Sequence, residues 1–254
     1  MKGLRQHPFR VVGRLMWFGL EVLEAMLVFL LCCTFCPKKS RRAKRALWLQ
    51  RTARQVGRIF RLEIQSAGTI PTRGLLISNH VSYVDILVLV SLTPAVFVAK
   101  REVKSWPVMG WLAQLGGTVF IDRQRRTHVG EVNDEIQTAL ADGALVIIFP
   151  EGTSSDGQTI LPFKSSLLEP AAQQQHLLTI GCIGYMLADG DAGAEVCYWG
   201  DHVFFPHLLN LLSKRRVGAS VRFASVGQHS TDRKELAQQL HAAVLELRKS
   251  PNRS

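Results

Sequence analysis

Residues 144–149, Ala-Leu-Val-Ile-Ile-Phe, form an unbroken apolar run that stops at Pro150-Glu151-Gly152. A strand that never alternates has both faces covered, which is the condition of a central strand in a sheet with helices on either side. Pro150 has no amide to continue a ladder and Gly152 permits close backbone approach. Glu151 and Thr153 are therefore expected to project from the carboxyl end of the strand, the edge where open α/β sheets place their ligands.

Two more apolar runs end the same way. Residues 74–78 lead into Asn79-His80-Val81-Ser82-Tyr83-Val84-Asp85, and residues 117–121 end in Asp122-Arg123. If the chain bends after His80 and a helix starts near Ser82, the Asp85 carboxylate can reach one imidazole nitrogen and leave the other to accept a proton. The same pair could equally cap a turn and a helix, and residues 86–92 are apolar enough for strand or helix. A protein nucleophile is missing: no Gly-x-Ser-x-Gly elbow occurs, and residues 152–156 lack the closing glycine. A base at His80 would then act on a hydroxyl carried by a substrate. Arg123 brings a guanidinium to the same edge, suited to bidentate contact with an anion.

Asn79-His80 with Asp85 five residues beyond the histidine, Phe120-Ile121-Asp122-Arg123, and Phe149-Pro150-Glu151-Gly152-Thr153 occur in this order. Together they resemble the first three motif blocks of the glycerolipid acyltransferase family, whose best-known members are 1-acylglycerol-3-phosphate acyltransferases. The similarity extends to residues 100–107 with Gly110 and to residues 161–167, so it covers about residues 74–200. It implies that His80 is the general base toward an acceptor hydroxyl, that Asp85 orients it, and that attack falls on a fatty acyl thioester of coenzyme A or acyl carrier protein. It also implies that Arg123 grips the acceptor headgroup, that Glu151, Gly152 and Thr153 shape its pocket, and that Asn79 braces the loop or helps hold the acyl carbonyl. Lys100 and Lys164 are candidates to meet a phosphate or the acyl carrier. Two positions depart from the family pattern. Ser154 stands where many phosphatidate-forming members have Arg, and residues 179–185 replace a usual Pro-Val pair. The resemblance still implies lysophosphatidate as the expected acceptor, giving phosphatidate, with another lysophospholipid or a lyso-aminolipid such as lyso-ornithine lipid as the alternative.

Charge is concentrated at the front. Residues 1–61 hold 14 Lys and Arg against 2 Glu, leaving 17 against 18 in the rest of a chain with net charge +11. Such a patch is drawn to an anionic surface, lipid or nucleic acid. Residues 11–33 are apolar and long enough to span a bilayer, which takes about 20 residues. Arg10, Arg14, Glu21 and Glu24 nevertheless share one arc of roughly 80° on a helix. Charges near the centre of a span cost roughly 3 kcal/mol each, and both flanks are basic. A helix over residues 40–60 places Ala46, Leu49, Ala53, Val56 and Phe60 on one stripe opposite Arg51, Arg54 and Arg58. These features favour a two-helix interfacial or re-entrant anchor on the cytoplasmic face over a single span. The alternative is a hairpin packed on the catalytic domain.

The expected organisation is an anchor over residues 1–62 and a catalytic domain over 63–254. Its class is α/β, a mixed sheet flanked by helices. Strands are expected at 75–78, 95–99, 118–121, 145–149, 177–180, 196–199 and 217–223. Helices are expected near 106–115, 129–142, 165–173 and 232–248, with 200–212 a helix or a lid. The cysteines show no disulfide framework, and the Cys33-Thr34-Phe35-Cys36 spacing lacks a second half-site. No metal and no cofactor beyond the acyl donor are expected. A nucleic-acid binder would leave residues 11–33 exposed in water, a membrane scaffold would not explain three polar motifs at strand ends, and a lipid esterase would turn the same His-Asp pair on water.

Overall fold

The computed structural model describes residues 7–122, 126–173 and 176–250. Two long helices, α1 (Pro8–Cys32) and α2 (Lys38–Phe60), precede an alternating α/β unit. In chain order this unit comprises β1 (Leu62–Ala67), β2 (Gly74–Ser78), α3 (Val84–Leu92), β3 (Val96–Lys100), α4 (Met109–Gly116), β4 (Val119–Ile121), α5 (Arg126–Ala141) and β5 (Leu145–Ile148). It continues with α6 (Glu169–Gln173), β6 (Leu178–Met186), α7 (Ala192–Glu195), α8 (Phe204–Ser213), β7 (Val217–Val226) and α9 (Arg233–Lys249).

The strands form one seven-stranded sheet in the order β1-β7-β6-β2-β5-β3-β4. All neighbours are parallel except β6 and β7, which pair antiparallel from Leu178↔Val226 to Met186↔Gly218. The sheet is therefore mixed and covered on both faces. In β5, Leu145 and Ile147 belong to one core layer and Val146 and Ile148 to the other. The non-alternating run has its reason here, since both sides of β5 are interior. One layer packs the sheet against α2, α3, α4 and α8 through Leu49, Val56, Val88, Leu112 and Leu211. The other packs it against α5 and α9 through Ile136, Ala139, Leu236, Leu240 and Val244.

Residues 84–92 are helix, with Asp85 in the first turn and Val84, Val88, Leu89 and Val90 buried. A helix apolar all round must be enclosed, and α3 lies between the sheet and α2. Residues 204–213 are also helix. The expected strand at 196–199 does not form. Ser82 Oγ donates to Val196 O at 2.6 Å and Tyr198 N donates to Val81 O at 2.8 Å, so this segment bonds to the loop carrying His80 instead of a sheet edge. β1 was not expected, and β6 runs to Met186, beyond the expected end at 180.

The charged arc of α1 faces inward. Arg14 Nη1 donates to Leu212 O at 2.8 Å and Lys214 O at 2.6 Å, and Arg10 Nη1 to Ser213 O at 2.7 Å. These are the orphan carbonyls at the C-terminus of α8, where cations are favoured. Glu24 pairs with Arg51, and Trp48 Nε1 donates to Ala25 O at 2.8 Å. With its polar arc facing the protein, α1 turns Phe9, Met16, Leu20, Leu23, Leu27 and Leu31 outward. This helix is long and apolar enough to cross a membrane, and a bare apolar face of this length fits a lipid surface.

The second helix differs from the expected membrane-lying one. Its apolar stripe, Ala46, Leu49, Ala53, Val56 and Phe60, is buried in the protein core. Several of its arginines also bond within the protein. Arg45 donates to Gln114 O, Arg54 to Ser91 O at 2.8 Å, and Arg42 pairs with Asp142 at 2.9 Å. Part of the basic front therefore caps and braces helices, and less of it is available to anionic lipid than its count implies.

Candidate active site

β2 and β5 are parallel neighbours, so the loops leaving their carboxyl ends lie side by side. After β5, Phe149, Pro150, Glu151 and Gly152 form a turn closed by Gly152 N donating to Phe149 O at 3.1 Å. Proline is favoured at its second position, and Gly152 continues the chain at φ 69°, a left-handed conformation open to glycine. The turn returns the Glu151 side chain toward β2. There Oε1 accepts from His80 N at 2.7 Å and Oε2 from Leu161 N at 2.8 Å. Asn79 clamps the other flank, donating from Nδ2 to Ile183 O at 3.0 Å and accepting at Oδ1 from Ile183 N at 2.7 Å. An amide that satisfies both main-chain groups of one β6 residue braces the loop, the first of the two tasks expected of Asn79.

His80 and Asp85 meet. Nδ1 of the ring lies 2.7 Å from Asp85 Oδ2, which also accepts from Val81 N at 2.8 Å and Ser82 N at 3.0 Å. Asp85 Oδ1 accepts from Tyr185 at 2.7 Å, and the carboxylate is fully buried. Four hydrogen-bonding partners on one carboxylate fix it in place. Its position at the start of α3 adds the favourable end of the helix dipole. The ring stacks on Phe149 with centroids 4.3 Å apart. Nδ1 is thus the ring nitrogen engaged by Asp85.

His80 lines a cavity of about 220 Å³. Its other walls include Tyr83, Phe97, Trp106, Phe149 and Tyr198, with Lys100, Gly152, Thr153 and Ser154 as the polar part. Lys100 and Thr153 are exposed at this cavity, whereas Lys164 is exposed but does not line it. Arg123 lies outside the described residues. Its neighbour Asp122 pairs with Arg101 at 2.8 Å. Ser154 Oγ donates to Tyr198 O. Among the described residues, no group of three or more His, Cys, Asp or Glu side chains could hold a metal.

Glu151 is 1% exposed, and burial pushes its carboxyl from 4.5 up to about 7, opposed by the two amide hydrogen bonds. The folded state thus holds the neutral form over a range where the unfolded chain ionises. The associated stability is full below about pH 4.5 and is lost as pH rises through about 7, at most about 3 kcal/mol. Melting temperatures of wild type and Glu151→Gln across pH 4.5–7.5 are expected to diverge in their pH slopes, with the Gln variant flatter.

Tyr185, which donates to Asp85, is a residue of the candidate site that sequence reasoning missed. It stands on the overhang of β6, in the stretch read only as a departure from the Pro-Val pattern, and a strand reading that stopped at 180 could not carry it toward Asp85. Burial and the neighbouring Asp85 raise its phenol, so it remains a donor. Tyr185→Phe leaves Asp85 Oδ1 without that donor. The expected result is a drop of about threefold to thirtyfold in kcat with KM within about twofold, read from initial rates.

This chain and its architecture have known counterparts. A family model described as Acyltransferase matches residues 61–183. A lyso-ornithine lipid O-acyltransferase of Rhizobium meliloti is 35% identical over 222 residues, covering 81% of this chain and 74% of that protein. A 1-acyl-sn-glycerol-3-phosphate acyltransferase of Neisseria gonorrhoeae is 30% identical, covering 82% of each. The crystal structure of the 1-acyl-sn-glycerophosphate acyltransferase PlsC from Thermotoga maritima shares the fold, with a TM-score of 0.67, 16% identity, and coverage of 99% of this chain and 100% of that one. The chain belongs to the acyltransferase family. It is an enzyme of lipid acylation, with a lysophospholipid-type acceptor implied by that membership.

Proposed function

We propose that the protein transfers a fatty acyl group directly from a thioester of coenzyme A or acyl carrier protein to the hydroxyl of a lyso-lipid at the cytoplasmic face of a membrane. The observation that carries this reading is the His80–Asp85 pair at the mouth of a largely apolar cavity. His80 Nε2 takes the proton of the acceptor hydroxyl as its oxygen forms a bond to the thioester carbonyl carbon. Collapse of the tetrahedral intermediate breaks the carbon–sulfur bond, and the departing thiolate takes the proton back from His80. Asp85 keeps the proton on Nδ1 and stabilises the transient imidazolium. No acyl-enzyme forms, and solvent exclusion by the aromatic walls favours transfer over hydrolysis. The bare face of α1 sets the protein on membrane phospholipid.

Lyso-ornithine lipid is the acceptor we favour. Several relatives carry that activity in their names, and Ser154 removes a cation that a phosphate monoester would use. An amino-acid headgroup offers a singly charged carboxylate, for which Arg123 and Lys100 are candidate partners. The second reading, 1-acylglycerol-3-phosphate as acceptor, is supported by the Neisseria relatives. The deciding experiment incubates the purified protein with both acceptors and both donors and identifies products by mass. Diacylated ornithine lipid is expected with kcat/KM at least about tenfold above phosphatidate, and Arg123→Ala is expected to raise the acceptor KM. Preferential phosphatidate formation would reverse the choice of acceptor, and free fatty acid as the main product would point to an esterase.

A further inference from the structure

Two apolar voids border the catalytic cavity, and the ring of Tyr83 forms part of the wall of all three spaces. One void, of about 60 Å³, continues inward beneath α2 between Ala53, Ile86, Phe97 and Leu112. The other, of about 140 Å³, lies toward the membrane helix, bounded by Leu15 and Phe18 of α1, Val56 of α2, and Phe205 and Leu208 of α8. Phe205 is 60% exposed and the outer face of α1 is bare, so this second void adjoins the surface that meets lipid.

Its wall also holds an unusual backbone. Val108 lines the void at φ 61° and ψ −55°, and Met109 N donates to Pro107 O at 2.6 Å across it. This is a γ-turn of the rare positive-φ kind, centred on a β-branched residue for which that region is a steric outlier. Glycine would adopt it freely, yet a side chain is kept in the wall. Strain retained against an easier residue is a mark of a functional surface.

Tyr83 is held firmly. Its hydroxyl donates to His207 Nδ1 at 3.0 Å, and His207 Nε2 donates to Cys197 O at 3.1 Å. Burial lowers the His207 imidazole to about 4, so the ring is neutral and Nδ1 can accept. Phe204 and Tyr198 meet the Tyr83 ring edge-on at 5.2 and 5.4 Å.

We propose that the void between α1 and α8 receives the acyl chain already present on the lyso-lipid acceptor, and that Tyr83 is the partition between that chain and the chain of the donor. The proposal rests on the acyl-transfer reading, because that reaction brings two apolar chains to one base. The acceptor arrives from the bilayer, and this void borders the bilayer-facing helix. The inward void is roofed by α2 and shares Ile86, Phe97, Ala99 and Trp106 with the cavity at His80, which suits the far end of a chain whose thioester lies beside that ring.

Leu208→Trp and Leu15→Trp narrow the acceptor void from two sides. The ratio of kcat/KM for a long-chain over a short-chain acceptor, measured at a fixed donor, is expected to fall at least about tenfold in each variant, while the donor chain-length profile moves less than about twofold. An unchanged acceptor ratio, or a shift in the donor profile instead, would overturn the assignment. A lyso-lipid with a diazirine at its chain end, irradiated with the native protein in vesicles without donor, is expected to label peptides of α1 or α8. Labelling confined to α3 and β3 would overturn the proposal. Labelling needs no turnover, so failure of the acyl-transfer reading, seen as no product from any acceptor, is recorded separately.

Discussion

His80→Ala is expected to lower kcat by about 10²- to 10⁴-fold while leaving KM for both substrates within about threefold. In the proposed mechanism the ring performs only the proton transfer, and other residues line most of the cavity wall. Stability should hold. The His80 backbone keeps its bond to Glu151, Asp85 retains Val81, Ser82 and Tyr185 as donors, and the side chain lost is partly exposed. Initial rates with matched melting curves check this. A folded variant with rates within about threefold of wild type would remove His80 from the chemistry.

Asp85→Asn is expected to cost about as much activity, roughly 10²- to 10⁴-fold, and to lower stability as well by about 1–3 kcal/mol. The fully buried carboxylate accepts four hydrogen bonds. An amide cannot accept at both ends. One orientation sets its NH₂ against the Val81 and Ser82 amides, and the other presents it to the Tyr185 hydroxyl. Either way the imidazolium loses its counter-charge. Combining Asp85→Asn with His80→Ala should reduce kcat little beyond the single variants, because the two act as one unit. Additive losses would mean that Asp85 works independently of the ring. The contrast with His80→Ala, which loses rate but not stability, separates the base from the residue that holds it.

Much of the sheet was legible because its signal is local. β2, β4 and β5 are apolar runs stopped by Pro, polar or charged residues, and the same stops placed His80 and Glu151 at the carboxyl edge. The Asp85 contact was legible from spacing, given a bend after His80 and a helix that begins at Val84. What was illegible depends on partners distant in sequence. Tyr185 reaches Asp85 only because β6 overhangs β2 along its antiparallel pairing with β7. Glu151 looked like a residue facing substrate, yet both its oxygens bind main-chain amides. The charged arc of α1 was visible as a pattern, but its inward direction follows from the α8 carbonyls some 200 residues away. The stripe of α2 has the period of a membrane-surface helix and of a core helix alike. Only the presence of α3 and α4 beneath it decides between them.

The most direct test of direct transfer is intact-protein mass spectrometry after rapid quenching. With acyl thioester alone, the protein mass is expected to stay unchanged, and diacylated lipid and free thiol are expected to appear only when lyso-lipid is added. A protein mass raised by one acyl group before the acceptor arrives would contradict the account, because the proton-accepting His80 would then be serving a nucleophile on the enzyme itself.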